Sequence, residues 1–261
     1  MSEKRRTGFK TIDGIDIFAP ICDAYRKPIA DHCMELLRHR KNIWSQKGED
    51  GIMNKLIAMN FPFTNNLFCE FGAWDGKQYS NTWNLVKNHD WRGIMIESNE
   101  TKYQELVKNA EEVPGKLMTK NYSVGYVKKN GNRIDRPLDD ILEECGAPLD
   151  IDVISMDTDG PDYYIWEGLV KYKPKMIIIE HNSLNAYVCY KYGQNPRRDP
   201  DGLTSYWSMR ELCESKEYVI LVDTGNLICA DKDVFETFRL RNLQKGERCL
   251  IGTMIYVNIM A

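Results

Sequence analysis
Several things are scarce in this 261-residue chain, and each scarcity removes a class of protein. No apolar run approaches the ~20 residues that a membrane-spanning helix requires, so no membrane span is expected. Basic residues do not dominate: 35 Lys and Arg stand against 38 Asp and Glu, for a net charge of −3. A nucleic-acid partner calls for a strongly basic face, and none is expected here. The charged start MSEKRRTGFKTIDG has no apolar segment behind it, so no signal peptide is expected and the chain reads as cytoplasmic. The eight cysteines, at 22, 33, 69, 145, 189, 213, 229 and 249, form no C-x-x-C pair and have no histidine at zinc-finger spacing. A disulfide framework and a structural zinc are therefore not expected, and cysteines inside apolar runs, such as Cys69 and Cys229, read as small hydrophobes. Histidine is rarer still: His32, His39, His89 and His181.

What is present suffices for one sizeable core: 43% of residues are hydrophobic and 28% charged, and an oligomer is possible. The chain is organised around Leu67–Phe71, a short aromatic-rich run that reads as a buried strand. It enters a turn containing Gly72 and Gly76, and a helical pattern follows from Asn81 to Asn88. Strand, glycine turn and helix form the nucleotide-binding opening of an α/β fold. The pattern is acid-x-Gly-x-x-x-Gly, from Glu70 through Gly72 to Gly76, without the third glycine of a dinucleotide fold. A carboxylate at the strand end repels phosphate and suits a cation such as an aminoacyl ammonium. An ordinary strand-turn-helix is the alternative.

Before this strand lie only helices, one over 21–40 and one with the stripe Ile52, Leu56, Ile57 and Met59, which Ser45 or Asp50 would cap. Residues 1–60 therefore read as a helical lead-in or lid, and 61–261 as the main domain. In it strands alternate with helices: strands at Gly93–Glu97, Lys116–Thr119, Ile151–Asp157 and Met176–Glu180, helices at Glu100–Ala110, Leu138–Cys145 and Tyr163–Lys171. Asn130-Gly131 marks a turn. The rhythm implies an α/β fold, a mostly parallel sheet with helices on both faces. Residues 183–206 interrupt it as a long Tyr- and Arg-rich insertion; a helix at Tyr206–Ser215 and strands near Tyr218–Val222, Leu227–Ala230 and Met254–Asn258 follow.

Ligands of such sheets bind beyond the carboxyl ends of the strands. There the sequence places Glu70, Glu97 with Ser98 behind it, Asp157 with Asp159, and Glu180-His181-Asn182. One such acid is an ordinary solvated strand end; four together argue for a site. Glu97 follows Glu70 at a distance suited to an acid that accepts from ribose hydroxyls. Oxygen ligands from Asp157, Asp159 and Glu180 would suit Mg²⁺ or Mn²⁺, or the same acids would hold substrate hydroxyls. His181 alone among the histidines follows a buried strand at this edge, where an imidazole can take a proton from a hydroxyl nucleophile, with Glu180 beside it to orient the ring. A packed, hydrogen-bonded histidine is the alternative. In the insertion, Tyr187, Tyr190 and Tyr192 offer flat faces to a ring, and Lys191, Arg197 and Arg198 offer donors to a phosphate.

Taken in order, Ser45-Gln46-Lys47-Gly48-Glu49-Asp50, Phe68 to Gly76 with Ser80-Asn81-Thr82, Trp91 to Glu97, Pro137 to Leu142 and Ile151 to Gly160 resemble the FkbM-type family of S-adenosylmethionine-dependent O-methyltransferases. The resemblance covers about residues 45–182. It implies the class I methyltransferase fold, the cofactor S-adenosylmethionine, and methylation of a hydroxyl on a sugar, nucleotide-linked or within a polysaccharide or glycan. Carried over, Glu70 and Gly72 would face the methionine part of the cofactor and Glu97 the ribose, and Gly76, Ser80, Asn81 and Ser98 would also belong to the cofactor site. The acceptor would meet Glu180, Asn182, Tyr190, Arg197 and Arg198, with His181, Asp157 and Asp159 as the candidate catalytic groups. Two departures touch the metal and the base: Asp157-Thr158-Asp159-Gly160 stands where Asp-Val-Glu-Gly is usual, and Glu180-His181-Asn182 is not general. An NAD-dependent sugar oxidoreductase and a non-catalytic nucleotide-binding module are the competing readings.

Overall fold
The computed structural model describes residues 36–128, 130–181 and 203–244. A seven-stranded sheet runs β3-β2-β1-β7-β8-β10-β9. Its strands are β1 (Leu67–Phe71), β2 (Arg92–Ile96), β3 (Leu117–Lys120), β7 (Val153–Met156), β8 (Met176–Glu180), β9 (Tyr218–Asp223) and β10 (Asn226–Asp231). All are parallel except β10, which pairs antiparallel with both β8 and β9. A small second sheet, β5-β4-β6, comprises β4 (Val124–Val127), β5 (Arg133–Ile134) and β6 (Arg136–Pro137). The mostly parallel sheet with helices on both faces is thus the fold that the alternating pattern implies. Strand β10 matches the expected strand near Leu227–Ala230, but its reversed direction and the helix α7 (Lys232–Gln244) are not announced by the pattern.

Alternation along the strands assigns the two faces. Cys69, Phe71, Ile94, Ile96, Ile177 and Ile179 join one core with α4 (Leu138–Glu144), α5 (Asp162–Gly168) and α6 (Tyr206–Ser215). Phe68, Met95, Met176 and Ile178 join the other, with α1 (Glu49–Ala58), α2 (Trp83–Asn88), α3 (Glu100–Ala110) and α7. The central strands bury both faces, which is why they read as continuous apolar runs. Cys69 and Cys229 are fully buried in these cores, and the four described cysteines are free.

Local chemistry corrects several boundaries. The helix after β1 begins at Trp83, not Asn81, because Ser80, Asn81 and Thr82 are held as a turn by Glu70. α5 ends at Gly168, because Asp139 accepts from the amides of Val170 and Lys171. α1 is not capped by Ser45 or Asp50: Gly48, with φ of 100°, is its N-cap and makes no side-chain cap bond. Asp50, in the first turn, instead reaches back to accept the amides of Ile43, Trp44 and Ser45 at 2.6–2.8 Å, while its own amide donates to Ser45 Oγ. The described end of the lead-in belongs to the main core through Leu36, Ile52, Met53 and Leu56. Glu49, fully buried, accepts from Thr224 Oγ1 and Asn226 Nδ2 between β9 and β10. The expected strand at Met254–Asn258, most of the helix over 21–40, His32 and the loop residues Asn182, Tyr187, Tyr190, Lys191, Tyr192, Arg197 and Arg198 lie outside the described residues.

Candidate active site
The chain crosses from β3, at one end of the sheet, back to β7 beside β1, so the switch point lies between β1 and β7. Gly72, the first residue beyond β1, sits there with φ of 68°. A Cβ on it would come within 1.6 Å of the Asp157 carbonyl oxygen, so no other residue fits. Gly76, with φ of 80°, lies against Leu106 of α3. Each glycine therefore serves a different approach, one to β7 and one to α3. Between them Trp74 adopts φ of 53°, a backbone state rare for so bulky a residue and characteristic of functional turns. Its indole is exposed, and Lys102 Nζ lies 4.7 Å from the ring centroid.

The strand-end acids gather at this edge, but most already have protein partners. Glu70 is buried and accepts from Ser80 Oγ (2.6 Å), Asn81 N (2.8 Å) and Thr82 Oγ1 (2.6 Å). Burial raises its carboxyl pKa, against the lowering effect of these donors. The carboxylate thus shapes the 80–82 turn, and Asn81 Nδ2 extends the contact to Ser155 Oγ of β7. Glu97, also buried, accepts from the Trp74 amide at 2.8 Å and the Asn99 amide at 2.7 Å. It joins the glycine turn to the start of α3. Ser98 beside it is exposed.

At the ends of β7 and β8, Asp157, Asp159 and Glu180 can each bring one oxygen within 4.8 Å of the others, close enough to share a cation or a set of hydroxyls. Burial, then the charges of Glu180, Asp162 and Asp159, push Asp157 up to about 9. Lys47, from the lead-in, reaches Glu180 Oε1 at 3.2 Å and Asn226 Oδ1 at 3.4 Å. The other Glu180 oxygen is buried without a hydrogen-bond partner among the described residues. The His181 ring meets Tyr206 edge-on, with the centroids 5.4 Å apart. It is 3% exposed; Nε2 lies 3.0 Å from Asp223 Oδ1, and Nδ1 has no partner among the described residues. The acid that orients this imidazole is Asp223, not Glu180.

Lys47, Trp74 and Asp223 were not singled out as site residues from the sequence. Lys47 meets Glu180 from 133 positions away, which no local pattern reveals. Asp223 was legible: it ends a strand at the same edge as the other acids, one residue past the expected boundary at Val222.

No family model matches the chain, and no curated protein does. Its structure is similar to that of a SAM dependent methyltransferase from Aquifex aeolicus, at 10% identity over 76% of this chain and 97% of that one, with a TM-score of 0.41. It is also similar to M. capricolum TrmK, solved with S-adenosyl-homocysteine (18% identity, 69% and 68% covered, TM-score 0.38). A third likeness is to the N-terminal domain of EvdMO1, solved in the presence of SAH and D-fucose (12% identity, 70% and 82% covered, TM-score 0.42).

Proposed function
We propose that the chain is an S-adenosylmethionine-dependent O-methyltransferase of the class I arrangement, acting on a hydroxyl of a sugar. The observation that carries this reading is the single edge of the sheet at which Glu70, Glu97, Asp157 and Glu180 all end their strands, around a glycine turn at the switch point. The residues suit the cofactor. Gly72 lets the turn pass directly against the Asp157 carbonyl at the switch point, and Glu97 is fixed there by two amides, its oxygens retaining lone pairs for ribose hydroxyls. Even with Asp157 protonated, the remaining carboxylates at this edge disfavour a pyrophosphate and favour a cationic ligand. When bound, the cofactor supplies a methyl group on a positively charged sulfur.

The chain's own part is to position and to move one proton. Asp157, Asp159 and Glu180 hold acceptor hydroxyls, with Lys47 fixing the Glu180 carboxylate. His181 takes the proton of the attacking hydroxyl at Nδ1, the ring nitrogen without a partner among the described residues. The acceptor sugar is nucleotide-linked or part of a glycan, met in addition by Asn182, Tyr190, Arg197 and Arg198.

A thermal-shift comparison tests the assignment, since a ligand that binds only the native state raises the melting temperature. S-adenosylhomocysteine is expected to raise it, and NAD⁺ and NADP⁺ to leave it unchanged. A shift with NAD⁺ alone would transfer the site to a dinucleotide.

A further inference from the structure
We infer that Asp223 is a positioning residue of this site: by accepting from His181 Nε2 it fixes the imidazole in the Nε2–H tautomer and keeps Nδ1 bare as the proton acceptor. The inference rests on the proposed methyl transfer for its catalytic meaning, but its geometry stands independently. Asp223 closes β9, and His181 follows β8; the two are separated in the sheet only by β10. Their side chains meet at 3.0 Å across the first residues of that reversed strand.

Two observations fix the direction of the hydrogen bond. Asp223 Oδ1 already accepts from the Gly225 amide at 2.8 Å, so this oxygen is an acceptor site in the fold. Nδ1, buried without a hydrogen-bond partner among the described residues, would orphan a proton placed there and leave Nε2 facing the carboxylate with a lone pair. An ionised carboxylate only accepts, so Nε2 must carry the proton. With Nε2–H assigned, a neutral ring leaves a lone pair on Nδ1. A doubly protonated ring would instead bury an N–H that has no acceptor, a costlier arrangement.

The ring cannot easily exchange its nitrogens. It is 3% exposed and packed edge-on against Tyr206, which α6 holds in the core behind it. A buried polar atom without a partner calls for an explanation. On this reading Nδ1 is left open for a group that the chain itself does not supply, the acceptor hydroxyl. The arrangement follows the logic of an acid that orients a catalytic histidine without taking its proton.

Long-range ¹H–¹⁵N correlation spectra of the full chain test this without cofactor or acceptor. The His181 signals are identified by their loss in His181→Gln. The wild type is expected to show Nε2 protonated and Nδ1 bare. Asp223→Asn keeps an oxygen at the same position and should preserve that tautomer. Asp223→Ser, whose hydroxyl can still receive the Gly225 amide but falls short of the ring, should place a substantial share of the proton on Nδ1. Asp223→Ala serves the same purpose if the Ser variant does not fold. A wild type with the proton on Nδ1, or an unchanged tautomer in the Ser or Ala variant, overturns the inference. Failure of S-adenosylhomocysteine to bind while the tautomer responds would instead overturn the methyltransferase reading alone.

Discussion

Glu97 holds two backbone amides at once, so its loss has two effects. Glu97→Ala removes the acceptor of the Trp74 amide, which keeps the strained glycine turn in place, along with the proposed acceptor of the ribose hydroxyls. Calorimetry is expected to show S-adenosylhomocysteine binding weakened by about 1–3 kcal/mol, the usual cost of an unpaired buried polar group. Unchanged affinity in a folded variant would remove Glu97 from the cofactor site. Glu70→Gln acts through the turn. A carboxamide cannot accept at both ends, so the Ser80 and Thr82 hydroxyls must reverse their bonds or the Asn81 amide must lose its acceptor, and both stability and cofactor affinity should fall. A melting temperature and affinity equal to wild type would show that the turn does not depend on the charge. At this scale the sequence reveals a residue's place and hides its partner. Glu97 and Glu180 were legible as strand-end acids, because a carboxylate after a run of buried apolar residues has few ordinary uses. That Glu70 faces three donors of its own loop, and that Lys47 lies on Glu180, are matters of through-space approach.

α5 and the strand ends beside it form the element on which pH should act. Asp162, its first residue, is 1% exposed and accepts from Thr158 and Gly160, which shapes the turn after β7. Burial raises its carboxyl to about 6, partly offset by those donors. The folded value therefore lies above that of an unfolded aspartate. The stability that protonation contributes is complete below about pH 4 and is lost as pH climbs through about 6, a change of roughly 3 kcal/mol. Urea denaturation across pH 4–7 should show this loss in the wild type and a flatter profile in Asp162→Asn; parallel profiles would assign it an ordinary value. The neighbouring strand ends set a second test. Held to acceptor hydroxyls, Asp157, Asp159 and Glu180 leave turnover indifferent to EDTA. Activity lost to the chelator and restored by Mg²⁺ or Mn²⁺ would reassign them to a cation. Elements with clear periodicity, such as Glu100–Ala110, Met176–Glu180 and Tyr206–Ser215, were legible to the residue. α7 was not, because its apolar positions lie among charges and give only a weak stripe. The small sheet β5-β4-β6 was announced only by its Asn-Gly turn.

Across the whole molecule, a few buried polar contacts tie distant parts of the chain together. Glu49 of the lead-in receives Thr224 at 2.7 Å, joining α1 to the β9–β10 turn beside Lys47 and Glu180. A double-mutant cycle of Glu49→Gln and Thr224→Val is expected to show a coupling of about 0.5–3 kcal/mol. Additive effects on unfolding free energy would mean that the lead-in merely rests on the sheet. The parallel arrangement was legible because alternating strands and helices leave little else for a chain of this length. The reversal of β10 was not, since a short gap between two strands says that they pair but not where the pair docks. That docking has a consequence during synthesis. Until the β9–β10 hairpin has left the ribosome and settled, β8 stands at the margin of the growing sheet. Its Met176, Ile177, Ile178 and Ile179 are all fully buried in the finished protein. A nascent chain halted before residue 218 would present this aliphatic strand with an unpaired backbone, an adhesive surface for any other extended chain. The hairpin that brings Asp223 to His181 is thus also the piece that closes the sheet against aggregation.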